Sequence, residues 1–135
     1  MQKRLCGSVQ VFSLDRDRTI AGLRQMAQSL LRRDRRVEVV ALFGSLAQGR
    51  AVPGSDADLL IILHEHGLPR WFDRIPEYLL DAAIPVEAFP FTWAEVQRGV
   101  RQPGLIRSIL RDHILLAGRP AAVRRLQQLR EKVRT

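Results

Sequence analysis

Asp56 and Asp58 stand two residues apart at the head of an apolar run that reaches Leu63. In an extended chain residues i and i+2 share a face, so both carboxylates project together. Two like charges side by side at the edge of a core repel unless something offsets them. A magnesium ion does so, because it prefers oxygen ligands and takes one or two carboxylates together with substrate phosphates. Upstream, the apolar run Val37–Phe43 leads into Gly44-Ser45. A glycine there lets a phosphate come close, backbone N–H groups at the start of a short helix favour an anion, and the Ser45 hydroxyl adds a donor. A triphosphate cradled at Gly44-Ser45, with magnesium bridging to Asp56 and Asp58, is the arrangement that nucleotidyl transfer needs. Each half alone has a plainer reading. The Asp pair also fits a solvated strand start after Pro53-Gly54, and Gly44-Ser45 fits a strand-to-helix turn with a capping serine.

The elements that must position these groups follow from periodicity. From about Asp17 to Arg33 apolar residues recur at spacings of three and four (Ile20, Leu23, Met26, Ala27, Leu30, Leu31), which predicts a helix, with Arg32 and Arg33 suiting its C-terminal dipole. Residues 1–16 are weakly patterned and read as a fraying end or a short strand around Val9 and Val11. Val37–Phe43 and Asp56–Leu63 read as buried strands, and Ile84–Phe89 as a third framed by Pro85 and Pro90. Residues 70–82 read as a helical segment broken at Pro76. Thr92-Trp93-Ala94-Glu95 fits a capping box that starts a helix near Trp93. A helix near 104–112, a short strand at Ile114–Ala117 and a basic amphipathic helix at about 120–133 complete the chain. Helices and strands mix without a regular βαβ repeat, which predicts an α+β domain. A length of 135 residues favours one domain over residues 1–135, with its core at about 20–118.

Gly44-Ser45, ten residues, then Asp56-Ala57-Asp58 preceded by Ser55 and set between apolar runs resembles the signature of the nucleotidyltransferase superfamily that includes DNA polymerase β and kanamycin nucleotidyltransferase. Within it the chain looks closest to the small, stand-alone minimal nucleotidyltransferases. The resemblance covers about residues 20–118 and implies the nucleotidyltransferase fold, a small mixed β-sheet with helices packed on it. It implies Asp56 and Asp58 as ligands of Mg²⁺ or Mn²⁺, and a third carboxylate on a later strand. Glu87, inside Ile84-Pro85-Val86-Glu87-Ala88-Phe89, is the match. The family more often has Asp there, and Glu is one methylene longer. By the family's mechanism Glu87 helps hold a metal and serves as, or positions, the general base for an acceptor hydroxyl. That hydroxyl attacks the α-phosphate of ATP or another nucleoside triphosphate. Gln48 stands where many relatives carry a basic residue, and Arg50 is the nearest cation to take its place at the phosphates. The acceptor implied is a partner protein, as in minimal nucleotidyltransferase antitoxins paired with a helical HEPN toxin. A small molecule of the aminoglycoside type and a non-catalytic nucleotide- or partner-binding module of the same fold are the alternatives.

Charge and composition bound what else the chain can be. The net charge is +8, but residues 41–97 hold 3 basic and 8 acidic side chains, while 1–40 and 98–135 are net +5 and +8. The acidic centre fits a metal site better than a plain nucleic-acid binder. Of the 22 cations 20 are Arg, a bias that composition explains as readily as binding does, so nucleic acid is not the favoured partner. Cys6 alone excludes an intrachain disulfide, and no apolar run approaches the length of a membrane span. A soluble cytoplasmic protein is expected. His64 and His66 lack further zinc ligands at suitable spacing. Trp71 and Trp93 read as packing residues, and the stripe on the last helix suits a homodimer or a heteromeric contact.

Overall fold

The computed structural model describes residues 2–52 and 54–134, with side chains from Arg16 onward. Its elements run α1 (Gln2–Arg33), β1 (Val37–Phe43), α2 (Gly44–Ala47), β2 (Ala57–Leu63), a 3₁₀ helix (Trp71–Tyr78), β3 (Val86–Thr92), α3 (Trp93–Val100), α4 (Leu105–Arg111), β4 (Ile114–Gly118) and α5 (Pro120–Arg134). The strands form one mixed sheet in the order β3-β2-β1-β4. β1 pairs antiparallel with β2 and β4, and β2 pairs parallel with β3. The C-terminal end of β1 and the starts of β2, β3 and β4 therefore meet at one end of the sheet. This is the α+β fold expected from the residues.

Alternation along the strands splits the core between two faces. Val37, Leu42, Leu59, Ile61 and Ala88 face α1, packing with Ile20, Leu23, Ala27 and Leu30. Val39, Ala41, Phe43, Leu60, Ile62 and Phe91 face the other way, against Trp93, Val96, Ile109, Leu126 and Leu129 of α3, α4 and α5. Both central strands are buried on both faces, which is why their sequences are apolar almost throughout.

Three elements differ from expectation. The helix α1 begins at Gln2, in place of a frayed end or a strand around Val9 and Val11. The side chain of Cys6, and Pro53 of the expected Pro53-Gly54 turn, lie outside the described residues. β3 starts at Val86 rather than Ile84 and continues through Pro90 to Thr92. Proline is tolerated because β3 is an edge strand. The Pro90 carbonyl turns away from β2 and accepts from Arg74 Nη1 at 3.0 Å, so the missing N–H removes no ladder bond. The segment expected to break at Pro76 is instead one 3₁₀ helix that runs through Pro76 and ends at Tyr78. The expected capping box forms as read: Glu95 N donates to Thr92 Oγ1 at 3.3 Å and Thr92 N to Glu95 Oε1 at 2.7 Å.

Candidate active site

Strand register assembles the carboxylates. Phe43 pairs with Asp58, and Asp58 with Glu87, so the last residue of β1 and the second residues of β2 and β3 lie abreast. Asp58 shares its face with Leu60 and Ile62, and Glu87 shares its face with Phe89 and Phe91. Both carboxylates thus emerge where the α3–α5 face runs out at the end of the sheet. Asp56 lies one residue before β2 and is exposed.

The two partners touch. Burial pushes the Asp58 carboxyl up to about 6, and its hydrogen bond with Glu87, the charge of Glu87 and the charge of Asp56 add to the rise. A hydrogen bond between two carboxyl groups needs a proton between them, and a cation can take that proton's place. Among the described residues no three His, Cys, Asp or Glu side chains are gathered as a ready-made cage. The donor set nevertheless fits a hard divalent ion, because it is all oxygen and its like charges already crowd one another.

Gly44 is fitted to Asp58. Its φ is +79°, and a Cβ placed there would overlap Asp58 Oδ2. Gly44 opens the four-residue α2, with Ser45 half-buried behind it. The loop that follows is tied locally. Arg50 N donates to Ser45 O at 2.9 Å, and Ser55 Oγ accepts from Val52 N at 3.0 Å. Ser55 thereby shapes the turn into Asp56. The exposed Arg50 guanidinium donates to the side-chain carbonyl of Gln48, the residue that stands where relatives carry a cation.

Some residues around the sheet carried no readable signal. Arg16 reaches from α1 to donate to Leu46 O and Ala47 O, both at 3.0 Å, and so fixes the end of α2. Trp71 stacks on Phe89 with ring centroids 5.5 Å apart and planes at 23°, and Phe89 meets Phe43 edge-on at 5.0 Å. Aromatic rings therefore line the sheet beside the carboxylates. Arg74 is 2% exposed and anchors the 3₁₀ helix. It donates to Leu68 O, to Pro90 O and to both Glu95 oxygens, the shortest at 2.6 Å. Only the side-chain pairing across some twenty residues could have announced it, and no spacing rule does. Trp93, read as a packing residue, is buried and donates to Glu38 at 2.6 Å, with Arg125 over its ring. His64 is exposed, and His66 is spent on Leu68 N and Glu77.

The sheet thus carries paired carboxylates at its end, facing a glycine-started turn. The nucleotidyltransferase domain model matches residues 23–116, and the chain belongs to that family. Its fold is similar to that of a Sulfolobus solfataricus protein provisionally assigned as a nucleotidyltransferase, solved at 1.40 Å. The two share 20% identity over 77% of this chain and 84% of that one, with a TM-score of 0.56. A toxin–antitoxin structure with AMP-PNP matches at 17% identity over 82% of each chain, with a TM-score of 0.49. No curated protein matches significantly. Among the described residues no helix is long and apolar enough to cross a membrane.

Proposed function

We propose that the chain transfers a nucleoside monophosphate, AMP from ATP, to a hydroxyl group on a partner protein. The observation that supports this best is the register that sets Gly44, Asp58 and Glu87 side by side at the end of the sheet. Asp56, Asp58 and Glu87 are the residues that would hold Mg²⁺ or Mn²⁺. When bound, such an ion neutralises the carboxylates and stabilises charge on the phosphates. Gly44, Ser45 and Arg50 receive the β- and γ-phosphates, and Ser55 keeps the loop that separates them from Asp56. Glu87, the more exposed partner of the pair, accepts the proton of the acceptor hydroxyl. The hydroxyl oxygen bonds to the α-phosphorus, the bond to the β-phosphate oxygen breaks, and pyrophosphate leaves.

Family membership at the level of the domain supports transfer chemistry, and a helical HEPN-type chain is the partner we favour. The nucleotide is polyanionic, and the basic flanks at 1–40 and 98–135 help draw it to an otherwise acidic centre. The test is transfer of label from α-phosphate-labelled ATP with Mn²⁺ to a helical protein encoded beside this one. Asp56→Ala and Asp58→Ala are each expected to reduce transfer at least a hundredfold. Unchanged transfer in both variants would reject the assignment. Metal-dependent ATP binding without transfer to any protein or aminoglycoside would favour a binding module.

A further inference from the structure

Arg16 lies on α1, upstream of the residues 23–116 that the family model matches. It is half-buried and reaches the loop that follows β1. We propose that Arg16 is a positioning residue for the triphosphate. It holds the Gly44–Arg50 loop in the shape that receives the β- and γ-phosphates, and so sets the affinity for ATP without touching it. The proposal rests on the placement of those phosphates in the transfer reading above and specifies what maintains it.

The backbone acceptors of α2 carry the argument. Gly44 O accepts from Gln48 N at 3.1 Å, Ser45 O from Arg50 N at 2.9 Å, and Leu46 O from Gly49 N at 3.3 Å. These three bonds close the turn on itself. Ala47 O has its donor in Arg16 Nη2 and Leu46 O a second one in Arg16 Nε, both at 3.0 Å. One planar guanidinium thus spans two successive carbonyls, a fixed fork that an ammonium cannot reproduce. Bonds from a charged donor are the stronger kind, and both of these are partly shielded from water. A helix of four residues gains little from its own bonds, because starting a helix fixes several residues for each bond made. An outside anchor therefore matters more to α2 than to a longer element.

The anchor itself is held firmly. Arg16 precedes Ile20, Leu23, Ala27 and Leu30, through which α1 packs on the sheet. Arg16, Leu46, Ser55 and Ile84 also border one cavity of about 50 Å³, so the same side chain stands beneath both ends of the loop from α2 to Asp56. Arg50 depends on the turn in its place, since its N–H is bound to Ser45 O. The Nε and Nη2 of Arg16 are committed to carbonyls, so its effect on a nucleotide passes through the loop.

Arg16→Met keeps the apolar stem and removes every donor. In the nucleotide-free chain, hydrogen exchange at the Gln48 and Arg50 amides should quicken at least about tenfold while β1 and β2 stay protected. In calorimetry with Mn²⁺, Kd for ATP should rise at least about fivefold, and Kd for AMP, which lacks the β- and γ-phosphates, less than about twofold. Partial unfolding would lower the stoichiometry of both and leave their ratio of affinities alone. Arg16→Lys keeps the charge without the fork. It should fall between wild type and Arg16→Met, and it carries the same measurements if the first variant does not fold. Arg18→Met removes the same charge from an exposed position two residues along α1, and should change Kd for ATP less than about twofold. Unchanged exchange at Gln48 and Arg50, or an equal loss of ATP affinity in Arg18→Met, would overturn the positioning role and leave the transfer reading standing. Equal affinity of wild type for ATP and AMP would sink the phosphate placement and, with it, the role of Arg16.

Discussion

Asp58 is the residue on which the site turns, and Gly44 exists in its present form because of it. The overlap with Asp58 Oδ2 and the positive φ both exclude a side chain at position 44. Gly44→Ala is therefore expected to cost about 1–3 kcal/mol from backbone conformation alone. It should also displace Asp58 and abolish label transfer. Urea unfolding read beside the transfer assay checks both. The same substitution at Gly49, where φ is +73° but nothing lies within 4 Å of a Cβ, supplies the comparison. It should lose stability while retaining most activity. Gly-Ser before an Asp-x-Asp was legible as a constellation because each residue type has its own chemistry. That the glycine makes room for Asp58 comes from the antiparallel register of β1 and β2.

At the scale of elements, the 3₁₀ helix straps the edge of β3 and brings Trp71 to one face of the sheet and Tyr78 to the other. Arg74 is the fastening. Burial opposes ionisation of Glu95, yet its bonds from the Arg74 guanidinium and from Thr92 outweigh burial and hold its carboxyl below the usual value of 4.5. A carboxylate with a depressed folded pKa contributes stability that is present above the unfolded pKa and lost as pH falls through the folded one. The stability difference between wild type and Glu95→Gln should be full at pH 7 and shrink progressively below 4.5, measured by thermal melts across pH. Arg74→Met leaves Glu95 without its counter-charge, with side chains only 3% and 16% exposed in the pair, and should cost about 3 kcal/mol at pH 7. The capping box at Thr92–Glu95 was readable from four residues. Its extension to Arg74 was not, because the ion pair joins segments that only the sheet edge brings together. Ile84–Phe89 was recognisable as a strand, but its true span through Pro90 depended on being at that edge, with Arg74 waiting for the carbonyl.

At the scale of the molecule, the net charge of +8 is the sum of an acidic centre at residues 41–97, net −5, and basic flanks, net +5 and +8. Ligand binding should stabilise the whole chain by mass action, since an unfolded chain holds Asp56, Asp58 and Glu87 apart. Mn²⁺ and ATP together, at about a hundred times their dissociation constant, add about 2.7 kcal/mol. The midpoint of thermal unfolding should rise by about 5–10 °C in wild type, and by less than about 2 °C in the Asp56→Ala/Asp58→Ala double variant. Differential scanning fluorimetry reads both.

By itself the sequence determined the local content: which segments are apolar on both faces, where Thr92 and Glu95 cap a helix, and which acids and glycines are the candidates for chemistry. These depend on periods of two or 3.6 residues and on individual side chains, all within one short window. Only the tertiary structure decided which of those acids meet, how β3 ends, and that Arg16 reaches the carbonyls of α2. Those outcomes depend on strand order and register, which are settled when segments tens of residues apart bury their apolar faces on a common sheet.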